Sequence, residues 1–172
     1  MPVHDGDMRT LDLGRHFDVV TCLFLAIGYM LTPDDLQAAI HQMAGHLSPG
    51  GVLVVEPWFH PEAWTDGLVL ADSANGDGLA ISRLSHSTRD GEIAQFDFYW
   101  SVGRGPALNA PDKGDEMAVE QWTERHRLAL RTQNEYRDAF DRAGLDVEHD
   151  SEGLIGRGLY LARKPSRDRP CS

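Results

Sequence analysis

Leu47-Ser48-Pro49-Gly50-Gly51-Val52-Leu53-Val54-Val55-Glu56-Pro57 is the stretch on which the fold turns. Pro49 and the two glycines end whatever precedes them and turn the chain. Val52 to Val55 is a run of apolar residues without alternation, the pattern of a strand buried on both faces, and Glu56-Pro57 closes it. Upstream, Thr32-Pro33-Asp34-Asp35 is a helix start, with Thr as N-cap, Pro in the first turn and acids beside the helix dipole. Leu36, Ile40, Met43, Ala44 and Leu47 follow at helical spacing. Further upstream, Asp18 to Leu25 is a second unalternating apolar run, broken by Gly28 and Tyr29. Strand, helix, Pro-Gly-Gly turn and strand make a βαβ unit, so a right-handed crossover in a parallel sheet is expected.

Downstream the pattern changes. Leu79 to Thr88 alternates moderately, Arg89-Asp90-Gly91 is a turn, and Glu92 to Val102 reads as a strand, which together predict a hairpin. Gly103 to Gly114 is rich in Gly, Pro and Asn and reads as a loop. Val119 to Leu130 alternates weakly as a third antiparallel strand. Thr132 with Glu135 fits a capping box, Tyr136, Phe140 and Ala143 form the apolar stripe of the helix it starts, and Gly144 stops it. Leu145 to His149 and Gly158 to Arg163 are two short final strands, and residues 165–172 read as a frayed polar tail. The fold class is therefore α/β, with an antiparallel β insertion over 68–130 that is too short to bury a core of its own.

The chain has 172 residues, which suits a single domain, and its formal net charge of −11 disfavours nucleic acid and anionic membrane. Arg163, Lys164, Arg167 and Arg169 bunch near the C-terminus and read as a solvated tail. Cys22 lies in an apolar run and Cys171 is next to last, so they read as a core thiol and a tail thiol. The N-terminus has no apolar signal region, and the Val19 to Leu31 run is too short to span a bilayer. These features predict a cytoplasmic protein. No metal is expected: His41 and His46 stand at i,i+5, and His60 with Glu62 lacks a third ligand.

The Leu-Ser-Pro-Gly-Gly turn and the strand ending in Glu56-Pro57 resemble the passage from the fourth to the fifth strand of class I S-adenosylmethionine (SAM)-dependent methyltransferases. Around it, Gly6-Asp7-Met8-Arg9, Phe17-Asp18-Val19-Val20, Gly28-Tyr29, Glu56-Pro57-Trp58, Ser85-His86-Ser87 and Gly156-Arg157-Gly158-Leu159 occur in that order. Together they resemble the bacterial aminosugar N,N-dimethyltransferases, which methylate the amine of a nucleotide-linked deoxyamino sugar. The resemblance runs from Gly6 to about Leu161 and implies the C-terminal part of a Rossmann-like methyltransferase sheet. The family's glycine-rich turn after its first strand and the acidic residue after its second have no counterpart in this sequence. The resemblance thus implies a truncated domain over residues 1–172, short of two strand-helix units, or ~60 residues at about 30 per unit. Weak or absent SAM binding is expected of it. A non-catalytic remnant that serves as an interaction or ligand-binding module is the alternative.

By resemblance, Asp7 and Met8 sit beside the adenine of SAM; otherwise they are a turn residue and a gap-filling methionine. Leu23 and Phe24 end a strand of an open α/β sheet, where ligands bind, and a core role fits them equally. His86 is by resemblance the active-site histidine, able to accept the proton of the acceptor amine. Two rival readings keep it as a structural residue or leave the proton to water. Arg157 is by resemblance a diphosphate contact, for which a guanidinium is well suited, or else it makes a strand-start salt bridge. Tyr29 and Trp58, with Tyr99, are aromatic candidates for walling the substrate site or for the core. With the strands that would flank it absent, the Val19 to Leu25 strand is expected to be an unpaired apolar edge, which predicts a homodimer or poor solubility.

Overall fold

The computed structural model describes residues 2–105 and 118–166. The chain divides into two compact units, one formed by Met1–Trp64 with Leu128–Ser172 and the other by Thr65–Arg127.

The first unit holds a four-stranded sheet with strand order β1-β2-β8-β7. Its strands are β1 (Phe17–Cys22), β2 (Leu47–Val55), β7 (Asp146–Asp150) and β8 (Leu159–Arg163). β1 and β2 are parallel, as the βαβ reading requires, and β8 is antiparallel to both β2 and β7. Helix α1 (Pro33–Gly45) connects β1 to β2, and α2 (Gln133–Arg142) precedes β7. The two helices touch, with Gln37 Nε2 donating to the Ala139 carbonyl (3.3 Å).

Both helices start as the sequence predicts. The Thr32 hydroxyl accepts from the Asp35 amide at 3.0 Å, and the Thr132 hydroxyl from the Glu135 amide at 3.2 Å. Each carboxylate reaches back to the cap amide, so both starts are reciprocal capping boxes. Alternate residues of the strands face the helices. Leu53, Val55, Tyr160 and Ala162 are fully buried against Ile40, Ala39 and Phe140. Each large apolar side chain so enclosed contributes about 1.5–3 kcal/mol. On the opposite face Val19 is 56% exposed and Leu161 37%.

Three expectations need correction. β1 ends at Cys22, and Leu23 to Leu25 leave the ladder. Ser48-Pro49-Gly50-Gly51 does not end α1, which stops at Gly45 with His46 as cap; it lies inside β2 as an irregularity. The register jumps there from Phe17↔Leu47 to Val19↔Val52. Gly50 has φ 82°, and a Cβ on Gly51 would stand 2.9–3.2 Å from three backbone carbonyl oxygens, so glycine is required at both positions. Lys164 is not a solvated tail residue: its Nζ donates to the carbonyls of Ala44 (3.1 Å) and Leu47 (2.8 Å) and closes the C-terminus of α1.

The second unit carries an antiparallel sheet in the order β3-β4-β5-β6. Its strands are β3 (Val69–Gly76), β4 (Leu79–Asp90), β5 (Ile93–Arg104) and β6 (Ala118–Ala129). The hairpin at Gly91 forms as expected, with Asp90↔Ile93 as its last pair. β3 escaped the sequence reading because every one of its residues is exposed and no alternation marks it. Its turn, Asp77-Gly78 at φ 49° and 78°, is nonetheless an ordinary hairpin dipeptide. Much of the Gly103 to Gly114 loop, most of the 165–172 tail and Cys171 fall outside the described residues.

Removal of the cap by Thr132→Ala should lower unfolding free energy by about 1 kcal/mol, read as a lower urea midpoint at unchanged slope.

Candidate functional site

Ligands of open α/β sheets bind beyond the carboxyl ends of the strands, and in the first unit β1 and β2 end side by side. The last ladder bond runs from the Glu56 amide to the Cys22 carbonyl (2.9 Å). Beyond it, the Phe24 amide donates to Glu56 Oε2 at 2.7 Å. Glu56 is 3% exposed. Phe24 and Leu25 both lie in the left-handed region, at φ 53° and 65°. Neither is glycine, so each conformation costs about 1–2 kcal/mol. Leu25 then caps a 3₁₀ turn over Ala26–Tyr29. A Cβ on Gly28 in that turn would meet Leu128 at 2.9 Å and Trp58 at 3.0 Å, which explains the glycine.

Two of the four residues assigned to the cofactor come together. Met8 and Leu23 line a cavity of about 390 Å³ with Leu11, Val20, Cys22 and Ala26. Phe24 is not among its lining residues; its side chain stands 89% exposed. The Asp7 carboxylate is engaged by Arg9, which donates to it at 2.6–3.1 Å and also reaches Asp35 at 2.6 Å. These bonds hold the Asp7 carboxyl down to about 2. Burial pushes the Cys22 thiol up to about 11, in keeping with the core role read from sequence.

Trp58 and Arg157 also come together. The Arg157 guanidinium lies 5.3 Å from the centroid of the Trp58 ring and 4.6 Å from that of Phe59. Trp58 is buried, while Tyr29 is 46% exposed. The strand-start salt bridge does not form: among the described residues Arg157 has no carboxylate within ion-pair distance, and its Nη1 is buried without a hydrogen-bond partner. Gly156 and Gly158 flank it at φ 76° and 87°, a backbone turn that calls for glycine at both positions. Gly158 also packs on His149, whose Nε2 would lie 2.5 Å from an added Cβ.

Sequence reasoning missed the polar layer close by. His60 Nδ1 donates to the Arg131 carbonyl at 2.7 Å, and its Nε2 is buried without a hydrogen-bond partner. Gln133 Nε2 donates to His149 Nδ1 at 2.6 Å, and His149 Nε2 and the Tyr160 hydroxyl are likewise buried without partners. Burial, and then the neighbouring His60, lower the His149 pKa. Nothing in the sequence spacing joins these residues, because they come from four separate segments.

His86 belongs to the second unit. It sits on β4, half-buried, directly opposite Asp97 of β5. Arg125 of β6 grips Asp97 with Nε at 2.6 Å and Nη2 at 3.1 Å, and this pair lowers the Asp97 pKa. Asp97 and Arg125 had no role in the sequence reading. Among the described residues no group of three or more His, Cys, Asp or Glu side chains is arranged to hold a metal ion.

A mixed sheet entered by a βαβ unit, with an added antiparallel sheet, is the C-terminal part of a Rossmann-like methyltransferase fold. The comparisons with known proteins agree. DesVI of Streptomyces venezuelae superposes with a TM-score of 0.82 at 40% identity, over 95% of this chain and 64% of that one. A SAM-bound amino pentose methyltransferase of calicheamicin biosynthesis from Micromonospora echinaspora superposes with a TM-score of 0.78 at 38% identity, over 92% and 63%. Among curated proteins, the dTDP-3-amino-3,4,6-trideoxy-alpha-D-glucopyranose N,N-dimethyltransferase of Streptomyces venezuelae is 42% identical over 159 residues, 92% of this chain and 63% of the relative. No protein-family model matches the chain. The chain is a homologue of the SAM-dependent sugar N,N-dimethyltransferases, and it spans about 60% of the length of the curated relatives it matches.

Because its thiol ionises only near pH 11, Cys22 should stay unalkylated by iodoacetamide at pH 8 and become labelled once urea unfolds the chain, as located by peptide mass spectrometry.

Proposed function

We propose that this chain is part of a SAM-dependent N-methyltransferase whose acceptor is the amine of a nucleotide-linked deoxyamino sugar. The observation that carries this reading is the identity of about 40% to dTDP-aminosugar N,N-dimethyltransferases across more than nine-tenths of the chain. The residues from 68 to 130 form an insertion within that one methyltransferase domain.

SAM, when bound, supplies an electrophilic methyl group on a sulfonium. Met8 and Leu23 would hold it through the apolar cavity they share, with Phe24 at the adjoining strand end. Asp7 would receive the adenine amine only by sharing a carboxylate that Arg9 already binds. Arg157 would take the substrate diphosphate. Its support is a guanidinium that has no carboxylate partner among the described residues and lies over the Trp58 and Phe59 rings. Tyr29 and Trp58 would wall the substrate. His86 would accept the proton that the acceptor nitrogen loses, with Asp97 directly across the ladder from it.

No helix among the described residues is long and apolar enough to cross a membrane. We further propose a homodimer. β1 is an edge strand of its sheet and Val19 is 56% exposed, a combination that favours pairing with a second copy. Light scattering should return twice the chain mass; a stable monomer would remove this part of the reading.

Calorimetric titration tests the cofactor reading. This chain should bind SAM at least ten-fold more weakly than a chimera lengthened at its N-terminus with the matching segment of the Streptomyces venezuelae relative. In that chimera His86→Ala should reduce turnover about 100-fold, as expected for loss of a general base. Arg157→Ala should raise the KM for the nucleotide sugar about ten-fold with little change in kcat. A chimera that binds no SAM would favour the non-catalytic module.

A further inference from the structure

Glu56 is the residue at the strand ends whose chemistry no role above uses. The residue is 3% exposed, and one carboxylate oxygen is spent on a single backbone amide, that of Phe24. That amide opens a pair of residues at φ 53° and 65°. Glycine would take both conformations freely, and a turn whose only task was to close the strand would carry it there. The chain instead keeps Phe and Leu. Phe24 contributes nothing to the core, since its side chain is 89% exposed. Strained backbone of this kind persists where the surroundings over-determine it, and it clusters at ligand clamps. Leu23, one residue earlier, lines the cavity of about 390 Å³ that also holds Met8.

We propose that Glu56 is a positioning residue: by accepting from the Phe24 amide it locks Phe24-Leu25 in the left-handed turn that presents the Phe24 ring and the Leu23 backbone to the adenosyl moiety of the cofactor. This rests on the reading of the chain as part of a SAM-dependent methyltransferase. The carboxyl acts through the turn and touches no ligand. Its oxygen matters more than its charge, so Gln, which keeps a carbonyl oxygen at that place, can substitute for it and Ala cannot.

NMR on this chain tests both halves separately. A strong amide-to-Hα cross-peak within one residue marks positive φ, and Phe24 and Leu25 should show it in the wild type and in Glu56→Gln, and lose it in Glu56→Ala. S-adenosylhomocysteine, titrated to millimolar concentration, should shift the amides of Leu23, Phe24 and Leu25 in the wild type and in Glu56→Gln. In Glu56→Ala the midpoint of those shifts should rise at least ten-fold. Phe24→Ala, which alters only an exposed side chain, should weaken binding ten-fold or more while the Leu25 cross-peak persists; it carries the test if Glu56→Ala fails to fold. Positive φ retained in Glu56→Ala would overturn the positioning role, whatever the ligand does. Lost φ with unchanged affinity would overturn its link to the cofactor. Turn cross-peaks that behave as expected, with no shift from the nucleoside in any variant, would sink the cofactor reading and leave the turn geometry standing.

Discussion

The parallel ladder between β1 and β2 is the constraint from which the rest of the first unit follows. Its pairs from Val19↔Val52 to Cys22↔Val55 bring two strand ends together, and the Glu56 amide closes it on the Cys22 carbonyl. Parallel strands need a long crossover, and α1 supplies it, bounded by a capping box at Thr32 and by Lys164 at its far end. Once β1 and β2 are in register, Leu53 and Val55 face the helices, and β8 adds Tyr160 and Ala162 to the same core. The irregularity at Ser48 to Gly51 absorbs the mismatch between the helix exit and the ladder.

At the carboxyl ends of those strands the structure departs from economical backbone geometry. Phe24 and Leu25 adopt left-handed conformations, Glu56 is buried on a main-chain amide, and Arg157 lies over two aromatic rings with no carboxylate partner among the described residues. His60, His149 and Tyr160 leave polar atoms unsatisfied nearby. Each feature is costly for stability alone, and their concentration in one region is what marks it as the candidate site. At the amino half of the same sheet Lys164 donates to the carbonyls of Ala44 and Leu47 and satisfies the polar groups where α1 ends.

Much of the architecture was legible in the residues. Thr32 and Thr132 each announce a helix, because a cap and its partner carboxylate lie three positions apart and need no distant neighbour. The apolar runs of β1 and β2 and the hairpin at Gly91 read out in the same way. β3 did not, since its residues face solvent on both sides and carry no pattern. Of the proposed site residues, Met8 with Leu23, and Trp58 with Arg157, were named from sequence and share a locality in the structure. Asp97 and Arg125 were not named: their importance lies in being opposite or beside His86, which depends on strand register.

By itself, then, the sequence determined what short-range forces decide: where the two helices start, most of the strand segments, and that β1, α1 and β2 form one parallel unit. Periodicity, caps and glycine stops act within a few residues and survive in the bare chain. The tertiary structure alone decided the left-handed turn at Phe24-Leu25, the glycine requirement at Gly51, the stacking of Arg157 and the grip of Arg125 on Asp97. Each of these joins atoms brought together only by strand register or side-chain packing, and no local pattern encodes such a meeting.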